Sequence, residues 1–127
     1  MSSSTAGADS SGGSAMTWSP AAFAVWGKLD PATASWMPLV THLEHSAAVA
    51  GLLYDDYLPG AVRERLGATM SLPDDQVRTA CCWLAGIHDV AKASPSFACK
   101  AEAILPSVLD RMRDEGIAHH RPFAHDQ

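Results

Sequence analysis

The sequence is poor in what several protein classes require. It holds three cysteines in 127 residues, two of them adjacent (Cys81, Cys82) and one distant (Cys99). Such a set cannot form the dense, even-numbered framework of a small secreted domain. Basic residues are in deficit: nine Lys and Arg against fourteen Asp and Glu leave a formal net charge of −5. That argues against a mainly electrostatic binder of DNA or membranes, while leaving room for a local basic patch. The longest apolar runs, 47–54 and 80–87, fall far short of the roughly 18 residues that a membrane helix needs. The start has neither the basic opening nor the apolar middle of a secretory signal, so a reducing, cytoplasmic setting away from membranes is expected. Aromatics are few at 7%, yet four of the nine are tryptophan.

What is present points to one folded domain. Apolar residues make up 47% and charged residues 18%, enough to form a core. Residues 1–16 carry six Ser, three Gly and one charge, a composition that predicts a disordered tail. The rest, 17–127, reads as helix after helix punctuated by Pro and Gly, with no strand alternation and no internal repeat. Ser19-Pro20 caps a short helix bearing Phe23 and Trp26, with Gly27 as its stop and a turn at Asp30-Pro31. Trp36, Val40, Leu43, Ala47, Ala50, Tyr54 and Tyr57 recur at spacings of four and three, an apolar stripe that ends at Pro59-Gly60. A shorter helix over 61–66 is closed by Gly67. Pro73-Asp74-Asp75 opens another, whose stripe is Val77, Cys81, Leu84, His88 and Ala91 and whose end is expected near Ser94-Pro95. Two pieces, 95–104 and 106–115, follow on either side of Pro106, with Gly116 closing the second. The fold class is therefore all-α.

His88-Asp89 carries the chemistry. A histidine belonging to an apolar stripe and followed at once by a carboxylate is costly to bury. Adjacent helical residues point about 100° apart, yet both reach an ion lying over the helix edge. Imidazole and carboxylate together suit Mn, Fe, Co, Ni or Zn. Two ligands are not a site, and His42 on the preceding long helix is the natural third. Taken singly, each has a plainer explanation: a histidine near a helix core is more often a packing residue, and Lys92 is an ordinary ion-pair partner of Asp89. His45 shares a face with His42, and the cysteines lack C-x-x-C spacing and read as core residues.

The longer motifs shift that balance. Trp36-Met37-Pro38-Leu39-Val40-Thr41-His42-Leu43 and His88-Asp89-Val90-Ala91-Lys92-Ala93-Ser94-Pro95-Ser96-Phe97 resemble the HD nuclease domain of the CRISPR-associated helicase-nuclease of type I systems. Val25-Trp26-Gly27-Lys28 and the segment 47–52 are similar to that family as well, so the likeness covers about residues 23–115. It implies a helical bundle with His42, His88 and Asp89 as metal ligands and His125 as a further histidine ligand, with His120 as its rival. Lys92 would steady either a phosphate or Asp89, and Asp89 and Lys92 would be the catalytic pair. One or two divalent transition-metal ions would then serve cleavage of single-stranded DNA in antiviral defence. The partners implied are a CRISPR surveillance complex and a separate helicase or C-terminal fragment.

The chain departs from the family pattern in three ways. His45 stands where Asp is common, and Ala91 where Gly is usual. The family's later tandem histidines and closing Asp find no counterpart before Gln127, so an incomplete bundle is expected. Two alternatives are an HD phosphohydrolase acting on nucleotides through the same residues, and an inactive helical remnant or interaction module.

Overall fold

Ser19 opens the first helix as its neighbours predict: its hydroxyl accepts from the Ala22 amide at 3.2 Å, and Pro20 follows at the first helical position. The computed structural model describes residues 17–117; the expected tail over 1–16 and the candidate ligands His120 and His125 lie outside that range. Helix α1 covers only Pro20–Ala24 and stops short of Gly27. Trp26–Asp30 (β1) instead pairs antiparallel with Ser35–Pro38 (β2), in a register that sets Leu29 opposite Trp36. This hairpin replaces the expected continuation of α1 and the expected first turn of the long helix. Its cause lies in Pro38, which pushes Met37 towards extended backbone. The Asp30 carboxylate then closes the turn by accepting from the Ala32 amide at 2.9 Å and the Thr33 hydroxyl at 2.8 Å.

The long helix α2 spans Leu39–Leu52 and ends in a π-turn at Leu53–Tyr57. Trp36 thus belongs to the hairpin, and Tyr57, at the other end of the expected stripe, is exposed. Helix α3, Gly60–Met70, runs through Gly67 because the left-handed position falls at Ser71, with φ 55°. The Leu72 amide closes that end on the Gly67 carbonyl at 3.1 Å. Helix α4 covers Asp74–Ile87, with both carboxylates in its first turn. It ends earlier than expected, and a 3₁₀ turn at Val90–Ala93 leads to α5, Pro95–Ala98. A second 3₁₀ turn, Cys99–Ala101, precedes α6, Pro106–Asp114. There the expectation holds: Gly116 takes φ 73°, and the Gly116 and Ile117 amides cap the carbonyls of Arg113 and Met112. Helices dominate the architecture, and none among the described residues is long and apolar enough to cross a membrane.

Two packed regions meet at the hairpin. On one side Ala24 and Trp26 pack with Ala98, Ala101, Val108, Leu109 and Met112 as the main buried cluster. The Trp26 indole N–H donates to the Ala98 carbonyl at 3.2 Å inside it, so the one polar atom of this side chain is satisfied where it is buried. On the other side α2 and α4 form the most extensive helix–helix contact. Small residues let them approach: a Cβ on Gly51 would meet Cys82 Sγ at 3.3 Å, and one on Gly86 would meet Ala47 Cβ at 3.4 Å. The outer faces of this pair leave Val49, Leu52, Trp83 and Leu84 exposed; Leu84, read as core in the sequence, is not.

Gly27 joins the two regions. It is buried in a β-bulge, and a Cβ there would lie 2.8 Å from Leu39 Cα, a backbone atom that cannot swing aside. Gly27→Ala should therefore lower stability by about 1–3 kcal/mol through forced separation of hairpin and helix. Gly60→Ala, where a Cβ meets nothing within 4 Å, should be neutral or stabilising by up to about 1 kcal/mol. Urea unfolding of the two variants beside the parent chain checks this difference.

Candidate metal centre

His42 sits in the first turn of α2 and is buried at 9% exposure. It faces the point where α4 gives out. His88 caps that helix, and Asp89 leaves it with φ −108° and ψ 12°, the sparsely populated bridge conformation frequent at functional sites. This break, absent from the sequence expectation of a helix running on to Ser94, turns the Asp89 carboxylate inward. Its Oδ2 atom lies 2.9 Å from His42 Nε2, 3.1 Å from His88 Nε2 and 2.7 Å from Lys92 Nζ. The two imidazole rings meet edge to face with centroids 5.5 Å apart. Residues separated by 46 positions in the chain thus share one cluster.

Hydrogen bonding decides what this cluster can accept. His88 Nδ1 lies 2.7 Å from the Ala85 carbonyl, an atom that only accepts, so Nδ1 carries a proton and donates it. In the neutral ring, Nε2 then presents a bare lone pair to the Asp89 oxygen. Two lone pairs at that distance repel unless a proton or a cation lies between them. A histidine whose outer nitrogen is bonded to a backbone carbonyl is the usual arrangement of a metal ligand. Donor atoms binding side by side at about 2.1 Å from an ion stand roughly 3 Å apart, close to the spacings already present. One ligand atom from each of His42, His88 and Asp89 lies within 4.8 Å of the others. The residues fit a divalent ion.

Lys92 serves the carboxylate. It reaches Asp89 across one 3₁₀ turn and also donates to the Gly27 carbonyl at 3.3 Å, tying the cluster to the hairpin bulge. The Lys92 hydrogen bond is the largest influence holding Asp89 below its ordinary pKa of 3.8, ahead of the His42 bond, and together they outweigh the opposing effect of burial. Asp89 is therefore an anionic donor through the neutral range. Of the two roles that the resemblance allows Lys92, the geometry displays the contact with Asp89.

Other candidates fall elsewhere. His45 is exposed and lines a separate cleft of about 400 Å³ beyond His42, with Lys28, Met37 and Ser46. The three cysteines are free and partly buried, in keeping with packing roles. Of the arginines, Arg78 pairs with Asp55 at 2.6 Å, Arg113 pairs with Asp110, and Arg111 lies over the Trp36 ring. Sequence reasoning passed over the Ala85 carbonyl, the Gly27 carbonyl and Lys100. Only the last had a usable signal, in its place after Ser94-Pro95-Ser96-Phe97.

A helical domain that gathers two imidazoles and the carboxylate of a His-Asp dipeptide into one cluster is of the HD type. Residues 26–127 match the family described as Cas3, HD domain, and the chain belongs to that family of CRISPR-associated HD nuclease domains. It is also similar to the CRISPR-associated nuclease/helicase Cas3 of Streptococcus thermophilus, with 29% identity over 65 residues, 49% of this chain and 7% of the relative. The chain thus matches only a small fraction of that relative's length. No solved structure matches it.

The lysine contact generates a test. Because Asp89 titrates below 3.8 in the folded chain, its contribution to stability is present above the unfolded value and is lost as pH falls through the folded one. Lys92→Met should raise the Asp89 pKa towards its ordinary value and shrink that acid-side loss. Carboxyl-detected NMR titration gives the first quantity, and urea midpoints between about pH 6 and pH 3 give the second.

Proposed function

We propose that this chain is the metal-holding part of a nuclease that cuts single-stranded DNA in CRISPR antiviral defence, with His42, His88 and Asp89 as ligands of a divalent transition metal. The observation that carries the proposal is the convergence of His42 Nε2 and His88 Nε2 on Asp89 Oδ2 at 2.9 and 3.1 Å, with the far nitrogen of His88 already committed to a carbonyl. Mn, Ni, Co, Fe and Zn all suit this nitrogen–oxygen set. When bound, such an ion polarises a phosphoryl oxygen and makes water a nucleophile near neutral pH.

The remaining work belongs to the protein. Ala85 fixes the tautomer and ring orientation of His88. The first turn of α2 holds His42 where water has little access. Lys92 keeps Asp89 ionised and anchored, so that ligand geometry does not depend on the substrate. Strand separation would come from a helicase outside these residues, as the name of the Streptococcus relative suggests, and recruitment from a target-bound CRISPR complex.

Addition of Mn²⁺ at about a hundredfold above its dissociation constant should stabilise the chain by about 2.7 kcal/mol, read as a rise in thermal midpoint. His88→Ala should abolish that rise and lower cleavage of a single-stranded oligonucleotide by about 100-fold or more. Chelation should stop cleavage of the same oligonucleotide by the parent chain. Hydrolysis of mononucleotides in preference to the oligonucleotide would instead assign the site to a nucleotide phosphohydrolase. Absence of any Mn²⁺ effect would leave a helical interaction module.

A further inference from the structure

A cleft of about 390 Å³ opens directly beside the cluster, lined by His88, Asp89, Lys92, Ser96, Phe97 and Lys100. Its two lysines both stand over the Phe97 ring, Lys92 at 5.6 Å and Lys100 at 4.9 Å, and differ in their ion pairs. The Lys92 ammonium is spent on Asp89 Oδ2 at 2.7 Å and on the Gly27 carbonyl at 3.3 Å. Lys100 pairs with no carboxylate among the described residues; its Nζ lies 4.9 Å from the centre of the Phe97 ring. That ring is itself immobilised, packing on Trp26 at 4.5 Å between centroids, while the Trp26 indole bonds the Ala98 carbonyl. Lys100 therefore stands over an aromatic ring that packs on Trp26, in no ion pair with the other residues of this cleft, in the same wall that His88 and Asp89 line. Ala91, Ser94 and Ser96 complete the lining. The cleft beyond His42, with Val49, Ala50 and Leu53 in its wall, is more apolar.

We infer that this cleft is a second phosphate-binding subsite, in which Lys100 holds the backbone phosphate neighbouring the one at the metal centre and so selects a polynucleotide over a mononucleotide. The inference rests on the nuclease reading above and deepens it by naming a residue that grips the strand. A mononucleotide has no second phosphodiester to offer Lys100, whereas a strand crossing the cluster does. The role is one of substrate positioning through charge.

The test is binding of a fluorescein-labelled oligothymidine to the whole 127-residue chain, followed by anisotropy in EDTA so that no cleavage occurs, across a range of salt. Lys100→Ala should weaken binding about tenfold and reduce the slope of log affinity against log salt by about 0.7, the loss of one phosphate contact on a single strand. Lys100→Arg should restore affinity to within twofold. Arg65→Ala, which removes a charge from exposed α3, should change affinity less than twofold. Equal weakening by Lys100→Ala and Arg65→Ala, no weakening by either, or no binding by the parent chain would overturn the subsite. Mn²⁺ melting curves keep the two readings apart. A Mn²⁺ rise that persists in Lys100→Ala without any loss of oligonucleotide affinity sinks the subsite alone. A Lys100 effect in a chain that shows no Mn²⁺ rise sinks the metal reading alone.

Discussion

One carboxylate oxygen organises the functional end of this molecule. Asp89 Oδ2 is approached by His42 from α2, by His88 from the end of α4 and by Lys92 from the following 3₁₀ turn, at 2.9, 3.1 and 2.7 Å. Its side chain is three-quarters covered, so these partners take over much of the work that solvent does for an exposed carboxylate. Without it, two imidazoles and an ammonium would face one another across a partly dry gap, which the local packing does not otherwise favour. The break of α4 at Asp89 follows from this demand.

Holding the cluster needs both packed regions at once. Lys92 reaches the Gly27 carbonyl, and Gly27 lies so close to Leu39 that a single added carbon would collide with the backbone. The Leu39 amide in turn donates to the Val25 carbonyl at 2.7 Å, fixing where α2 begins and hence where His42, one turn later, points. The hairpin is thus a spacer between the Trp26 cluster and the α2–α4 pair. Small residues along α2 and α4 let the second region close tightly enough for side chains from both helices to meet at the ends.

Much of this was legible in the sequence, and the failures have specific causes. The middle of the apolar stripe, from Val40 to Tyr54, the acidic opening of α4 and the Gly116 stop rest on local patterns, and each is found in the structure. Trp36 departs from the stripe because a four-residue spacing to Val40 fits a helix, while Pro38 holds Met37 in extended backbone and keeps the helix from starting earlier. Leu84 misled because periodicity reports which residues share a face, not whether another element covers that face. The meeting of His42 with His88 and Asp89 could be proposed from residue chemistry, but the family resemblance raised it above chance. The Ala85 and Gly27 carbonyls were out of reach, since every residue has a carbonyl and only coordinates tell which one a side chain finds.

The net charge of −5 had argued against a polyanion as ligand, and the structure explains why that sum is a poor guide. Fields of exposed charges fade over about 8 Å at physiological salt, so any anion at the site would respond to the nearest few groups only. Arg78 and Arg113 are neutralised by Asp55 and Asp110 on other faces. Beside the cluster, Asp89 is offset by Lys92, and Lys100, in the same cleft, adds a second cation. The acidity of the chain as a whole and the cationic character of one cleft are therefore compatible, because they are set by different residues at separations that solvent screens.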